Sequence, residues 1–251
     1  MRWLCSLLLA SPALAAAQSS DSPSLHFDFA AVPATRDSFV FHFRGQERGW
    51  AVWQFEIRPL ETTQQLVYTA RSEFRPVEEE QERVVLDRLT GAPLSTFHRI
   101  DLFSPTSDTV MMEHDLAVRH GEISGRRRIG TKSGEVKIIP VSRPFAPGMV
   151  LGDYVFIAGA VTNVAPGDSV GMPAYKEFAD SVTTLSFVAE PPTTIRVPAG
   201  RFDVQPLKSG NFRIFATRTA PRRVVKGETL DGVFAFELVH SGPVVPAPES
   251  E

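Results

Sequence analysis

Residues 38–58 read SFVFHFRGQERGWAVWQFEIR, and the alternation inside this stretch decides the fold class. Phenylalanine occupies positions 39, 41 and 43, and apolar residues return at every second position over residues 51–57. Neighbouring side chains in a strand point to opposite faces, so a period of two predicts two half-buried β-strands. Gly45–Gly49 is expected to join them as a hairpin loop. Trp50 and Trp53 then fall on opposite faces.

The same alternation continues along the chain. Further strands are predicted at Gln65–Phe74, Val84–Leu89, Pro93–Leu102, Thr109–Arg119, Glu122–Ile129, Glu135–Pro140, Ser181–Ala189, Thr193–Val197, Phe202–Lys208, Phe212–Ala216, Arg222–Lys226 and Val233–Val239. Glycine and proline between these runs mark turns. The apolar segment Met149–Val164 leaves room for one short helix through Leu151–Ala160. Short strands at this spacing predict an all-β protein built as an antiparallel meander.

Residues 1–17, MRWLCSLLLASPALAAA, have the features of an export signal. Arg2 supplies a positive start, an apolar stretch follows, and Ala15–Ala17 forms a small-residue cleavage site. We therefore expect a periplasmic or secreted protein. The remaining chain is predicted to have a loose N-terminal leader (18–35), a single β domain (36–241) and a disordered Pro-rich tail (242–251).

Composition excludes several classes of function. Cys5 is the only cysteine, and cleavage of the signal would remove it, so the mature chain is expected to hold no disulfide, cysteine zinc site or cysteine nucleophile. A net charge of −3 gives no reason to expect a nucleic-acid partner. No later segment has the ~20 apolar residues of a transmembrane helix. The charged runs Glu78–Glu80 with Glu82 and Arg126–Arg128 are expected in solvated loops or hairpin tips.

Three turn-centred motifs carry a resemblance to a known family. They are Pro166-Gly167-Asp168-Ser169, Pro198-Ala199-Gly200-Arg201-Phe202-Asp203 and, upstream, Asp87-Arg88-Leu89-Thr90-Gly91. With them, the chain resembles a family of exported bacterial proteins known mainly as domains of unknown function. The resemblance implies a single curved antiparallel sheet or half-open barrel, similar to the half-barrel of periplasmic lipoprotein carriers, with an apolar concave side. It implies no catalytic residues.

Two histidines are the main candidates for a site. If residues 103–109 form the loop between two predicted strands, Ile100 pairs with Met112 and His98 with His114, which brings the Cβ atoms of the two histidines to ~5 Å. The plainer interpretation is that each histidine forms hydrogen bonds within a partly buried sheet. The alternatives are a metal site, which lacks further ligands, or the mouth of a ligand cavity with groups that titrate near neutrality. We predict His98, His114, Met112 and Ile100 as ligand-binding residues, and expect no metal and no cofactor.

Eighteen phenylalanines against three tyrosines make the aromatic residues unusually apolar. This excess predicts a thick core, or alternatively a lined cavity for an acyl chain. Our first hypothesis is an exported, non-enzymatic protein that binds a lipid or lipoprotein acyl chain or docks a partner in the cell envelope. The alternatives are a hydrolase that uses His98, His114 and Asp115, and a purely structural or assembly protein. Gly167-Asp168-Ser169 lacks the partner base that a serine esterase needs.

Overall fold

The first half of the chain forms eight consecutive antiparallel strands. The computed structural model describes residues 28–60, 63–151, 157 and 160–244. A short 3-10 helix at Phe29–Ala31 precedes the sheet. The strands are β1 (Thr35–Phe43), β2 (Gln46–Leu60), β3 (Thr63–Phe74), β4 (Glu78–Asp87), β5 (Pro93–Leu102), β6 (Thr109–Arg119), β7 (Glu122–Thr131) and β8 (Val136–Pro144).

The second half adds eight more strands to the same sheet. They are β9 (Val150–Leu151), β10 (Ser169–Lys176), β11 (Ser181–Ala189), β12 (Thr193–Val197), β13 (Gly200–Ser209), β14 (Phe212–Thr217), β15 (Val224–Thr229) and β16 (Phe234–Pro243). Between β9 and β10, residues 157, 160 and 161 are helical.

The sheet runs in both directions from β1, which lies between β2 and β16. Its order is β8-β7-β6-β5-β4-β3-β2-β1-β16-β15-β14-β13-β11-β10-β9, with β12 beside β13. Neighbours are antiparallel except for β9 and β10. The β1–β2 turn contains only Arg44 and Gly45, with φ of 50° and 75°. Positive φ at both positions matches the twist of a tight hairpin, and glycine adopts it without steric cost.

One face of the sheet, which we call the inner face, carries the core. It presents Phe39, Trp53, Tyr68 and Val84 from the first half of the chain and packs them with Phe187, Leu207 and Phe236 from the second half. The alternate residues of each strand form the outer face. Trp53 is buried while Trp50 is 44% exposed, as the alternation predicted.

The two ends of the sheet meet through side chains rather than through a continuous ladder. A second apolar cluster joins Leu116, Ile123 and Val141, from β6–β8, to Leu151 and Tyr175, from β9 and β10. The curved sheet therefore folds back on itself without closing into a barrel. This places the β10–β11 turn over the inner face of β5–β8.

The predicted all-β class and curved antiparallel sheet are confirmed. The strand β10 was not predicted, because Gly171 and Pro173, which are typical of turns, occupy exposed positions between its buried residues Val170, Met172 and Ala174. The predicted export signal lies outside the described residues, as do most residues of the predicted short helix. Within the predicted leader, Phe29 and Val32 are buried. Within the predicted tail, Gly242 and Pro243 still pair with β1. The domain boundaries themselves stay a prediction.

Candidate functional site

A line of paired residues crosses the inner face from β2 to β7. Each member is opposite the next across neighbouring strands: Trp53, Ala70, Glu82, His98, His114 and Arg127. Opposite residues on one face of an antiparallel pair have Cβ atoms about 4.5–5.5 Å apart. The line therefore places an aromatic region beside a carboxylate, an imidazole pair and a guanidinium.

The aromatic end of this line opens into a pocket of about 220 Å³. Its apolar wall is built by six aromatic side chains, Phe41, Trp53, Tyr68, Phe74, Phe234 and Phe236. The rings of Phe41 and Phe234 have centroids 5.5 Å apart, and those of Phe74 and Phe234 are 5.6 Å apart. Edge-to-face packing of this kind stabilises the wall, and the ring surfaces that line the pocket remain available to a ligand.

Three glutamates on β4 form the opposite wall of the pocket. Glu78, Glu80 and Glu82 occupy alternate positions of the strand, so their side chains share the inner face. Ser72 Oγ donates a hydrogen bond of 3.2 Å to Glu80 Oε2. Burial raises the pKa of Glu78, and the nearby charge of Glu80 adds to the rise. The pocket therefore combines an aromatic wall with a negatively charged one.

The two histidines lie side by side next to this acidic wall. His98 pairs with His114 and Ile100 with Met112, so the predicted register is confirmed. The imidazole centroids are 5.8 Å apart and both residues are buried. His114 Nε2 lies 3.2 Å from Thr96 Oγ1, and His98 Nε2 lies 3.9 Å from Glu80 Oε1. The four predicted ligand-binding residues thus share the inner face, although they border the pocket rather than line it.

Phe178, from the β10–β11 turn, covers both imidazoles. Its ring centroid lies 5.2 Å from that of His98 and 4.9 Å from that of His114. Arg127 holds the turn in place, because its guanidinium donates to the carbonyl oxygen of Phe178 at 2.9 Å and to Asp180 at 3.2 Å. The histidine pair is therefore enclosed by the fold, whereas the aromatic pocket next to it is open.

The structure corrects the prediction for the charged runs, and it separates Asp115 from the two histidines that the hydrolase alternative combines with it. Neither charged run forms a solvated loop or hairpin tip. Arg126–Arg128 lies within β7 and pairs with β6 and β8. The glutamates Glu78–Glu80 and Glu82 belong to β4 and pair with β3 and β5. The sequence did contain an indication of this strand: three of these glutamates lie at every second position before Val84 and Leu86, so they continue the inner-face alternation of β4. Asp115 is exposed, whereas its neighbour His114 is buried on the inner face. The triad of the hydrolase alternative is therefore not brought together.

Two kinds of feature are absent from the described part of the chain. It contains no group of three or more His, Cys, Asp and Glu side chains placed to hold a metal ion. None of the helices in that part is long and apolar enough to cross a membrane.

The strands and the pocket define a nearly all-β protein with an open, curved sheet and a cleft on its inner face. No family model matches the chain, and no curated protein matches it. Among solved structures, it is similar to a β-barrel-like protein of the domain of unknown function DUF1849 from Brucella abortus. The two share 11% identity over 85% of this chain and 99% of that one, with a TM-score of 0.49.

Proposed function

We propose that this chain is an exported, non-enzymatic protein of the bacterial cell envelope whose inner-face pocket binds the apolar part of a ligand, such as a lipid or a lipoprotein acyl chain. The observation that carries the proposal is the open pocket between Phe41, Phe74 and Phe234. Exposed aromatic surface in a concave site is the usual basis for binding an apolar group.

The size of the pocket limits what it receives. A volume of 220 Å³ is smaller than the roughly 300–1,000 Å³ of pockets that enclose a whole drug-sized molecule. The pocket therefore takes one segment of a ligand, and the rest of the ligand lies outside it. An envelope protein with an exposed apolar side chain is a second partner of suitable chemistry.

The acidic wall selects among apolar ligands. The carboxylates of Glu78 and Glu80 face the pocket, and a ligand with a neutral or anionic end would not neutralise their negative charge. A positively charged group next to the apolar segment would interact with these carboxylates and with the aromatic faces at the same time. We therefore propose that the preferred ligand carries an amine beside its apolar part.

Export is tested by N-terminal sequencing of the protein recovered from the envelope fraction of its own cells. A mature chain that begins at Gln18 supports the proposal, and a chain that keeps residues 1–17 in the cytoplasm contradicts it. Native mass spectrometry of the same material tests for a bound lipid. The purely structural alternative predicts no retained ligand.

The pocket is tested with the neutral fluorescent probe N-phenyl-1-naphthylamine and with dodecylamine, dodecanol and dodecanoate as competitors. Ala70 lines the pocket, so Ala70→Leu fills it, whereas Ala117→Leu adds the same atoms to the outer face of β6 and serves as the control. We expect the wild type and Ala117→Leu to bind the probe and Ala70→Leu to lose it. Dodecylamine should compete best. Absence of binding by the wild type, or equal binding by all three proteins, overturns the pocket.

The histidine pair distinguishes binding from hydrolysis. Because Phe178 encloses His98 and His114, replacing both with glutamine should leave retention of the probe largely unchanged. A hydrolase that depended on these imidazoles would instead lose its activity with that variant. Loss of an esterase activity present in the wild type would favour the hydrolase alternative.

A further inference from the structure

A second depression lies on the outer face of the sheet, on the opposite side from the aromatic pocket. It has a volume of about 620 Å³ and crosses β1–β5. Its lining includes three arginines, Arg36, Arg71 and Arg83, together with Trp50 and Phe97. The strand pairing fixes their arrangement, because Arg36, Gln54, Thr69, Arg83 and Phe97 are successive partners across the five strands. We call this depression the arginine groove.

The three guanidiniums of the arginine groove are close enough to act on one ligand. Strand spacing of about 4.8 Å puts the backbones of Arg36 and Arg83 roughly 14 Å apart. Arg71 is diagonal to Arg83 across the β3–β4 pair, a relationship of about 7–8 Å. Like charges at such positions repel each other unless a counter-ion lies between them. The groove thus concentrates positive charge on a protein whose net charge is −3.

Glu82 is the one carboxylate residue among the described residues that line the groove, and its strand position directs its side chain to the inner face, where it lines the aromatic pocket. The nearby outer-face carboxylates Glu56 and Glu73 contact other arginines. Glu56 accepts hydrogen bonds of 2.8 and 2.6 Å from Arg58, and Glu73 pairs with Arg75. Among the ion pairs of the described residues, none includes Arg36, Arg71 or Arg83. The groove therefore presents three guanidiniums whose charge the chain itself does not neutralise.

Aromatic and amide side chains complete the lining. Trp50 is 44% exposed, and Phe97 stands at the β5 end of the row of paired residues. Gln81 pairs with Arg71 across the β3–β4 ladder and adds an amide to the same surface. A ligand with an anionic group and a flat or apolar body finds partners for both parts here.

We infer that the arginine groove is a binding site for a phosphate-bearing ligand, separate from the inner-face pocket. Guanidinium groups bind phosphate oxygens through paired, charge-assisted hydrogen bonds, and several of them suit a ligand that carries more than one negative charge. The phosphate belongs either to a soluble compound or to a lipid headgroup on a membrane surface. Both sources present the same chemistry to the three arginines.

The test titrates the mature protein with inorganic pyrophosphate and with phosphatidylcholine vesicles prepared with and without phosphatidic acid. Trp50 reports on the groove by fluorescence, and Trp50→Phe identifies its share of the signal, because Trp53 is buried on the other face. The test variant is Arg36→Gln with Arg71→Gln and Arg83→Gln. The control removes the same charge from the exposed Arg119, Arg196 and Arg201, which lie outside the groove.

We expect the affinity for pyrophosphate to fall by at least about tenfold in the groove variant, since several charge-assisted contacts are lost, and to stay near the wild-type value in the control. Binding to phosphatidic acid vesicles as well would identify a lipid headgroup as a source, and binding to pyrophosphate alone would identify a soluble one. The inference is overturned if neither probe binds, or if both triple variants lose binding equally. The groove variant should still bind N-phenyl-1-naphthylamine. A loss of pyrophosphate binding then reports on the arginine groove and not on the inner-face pocket.

Discussion

Asp180 and Arg143 form a paired contact between the β10–β11 turn and β8, with distances of 3.0 Å from Nε to Oδ1 and 2.8 Å from Nη2 to Oδ2. Strand β8 is one edge of the sheet, and β10 lies next to the other edge. Tyr175 donates to Asp180 Oδ1 at 2.7 Å, and Arg127 also contacts this carboxylate. This carboxylate thus adds a polar connection to the apolar cluster between two ends of the sheet that share no backbone ladder.

Asp180→Asn is expected to lower the free energy of unfolding by about 1–3 kcal/mol, because charge-assisted hydrogen bonds from Arg143 and Arg127 are lost. The partial exposure of Arg143 favours the lower part of that range. Urea unfolding at neutral pH measures the change. Glu47→Gln, at an exposed position, is the matched control and should have no measurable effect.

The same contact predicts a response to acid. The hydrogen bond from Tyr175, with those from Arg143, holds the pKa of Asp180 below its ordinary value. The stabilisation is therefore complete above the unfolded-state pKa of about 3.9 and disappears as the pH falls through the lower folded-state value. The stability difference between wild type and Asp180→Asn should stay constant from neutral pH to about pH 5 and shrink below about pH 4. A difference that grows with acid would contradict this assignment.

Phe178→Ala is expected to destabilise the protein by about 1–3 kcal/mol, less than the 3–5 kcal/mol of a fully buried phenylalanine, since Phe178 is only half-buried. It also uncovers His98 and His114, so deuterium exchange at the imidazole C2 positions should accelerate. Phe103→Ala removes a ring that is 49% exposed and should change neither quantity. Unchanged exchange in Phe178→Ala would show that the turn does not shield the pair.

The sequence predicted the strands best where one face is buried and polar residues alternate with apolar ones. Pro93–Leu102 and Thr109–Arg119 were predicted with the observed bounds, and the pairing of His98 with His114 followed from their shared loop. Strand β4 was predicted too short, because three of its inner-face positions are glutamates. An inner face that opens into a pocket tolerates carboxylates, so the alternation of apolar and polar residues is lost at the glutamates that line the pocket.

The contact between the sheet ends was beyond prediction for a different reason. Arg127 and Asp180 are 53 residues apart, and neither position breaks the local pattern of its strand or turn. Their contact depends on the total curvature of the sheet over many strands, and the alternation of residues within one strand does not determine that curvature. The arginine groove has the same origin, since Arg36, Arg71 and Arg83 come from three strands and form no run in the sequence.

Gly227→Ala is expected to destabilise the protein by about 1–3 kcal/mol through overpacking. A Cβ atom at this position would overlap the rings of Phe236 and Phe212, and Phe236 is a buried residue that also lines the pocket. Thermal unfolding measures the loss, and binding of N-phenyl-1-naphthylamine should weaken in parallel. Gly171→Ala is the control, because the added methyl group would meet Thr184 at an ordinary contact distance of 3.6 Å.

Glu78→Gln is expected to stabilise the folded protein and to weaken the binding of an amine. Burial, with the neighbouring charge of Glu80, raises the pKa of Glu78, so the ionised carboxylate opposes folding above that raised value. Below the unfolded-state pKa of about 4.3 the group is protonated in both states, and the opposition is absent. The gain from Glu78→Gln should therefore appear as the pH rises from about 4 to 7 and be absent in stronger acid.

The matched functional measurement uses dodecylamine and dodecanol as competitors for the pocket. If Glu78 is retained at a cost in stability because it contacts a cationic group, Glu78→Gln should reduce the advantage of the amine over the alcohol and leave the alcohol unaffected. Glu47→Gln, which lies outside the pocket, should change neither competitor. An amine advantage that survives Glu78→Gln would refute the proposed selection for positive charge, while the pocket itself would still be judged by the response of the probe to Ala70→Leu.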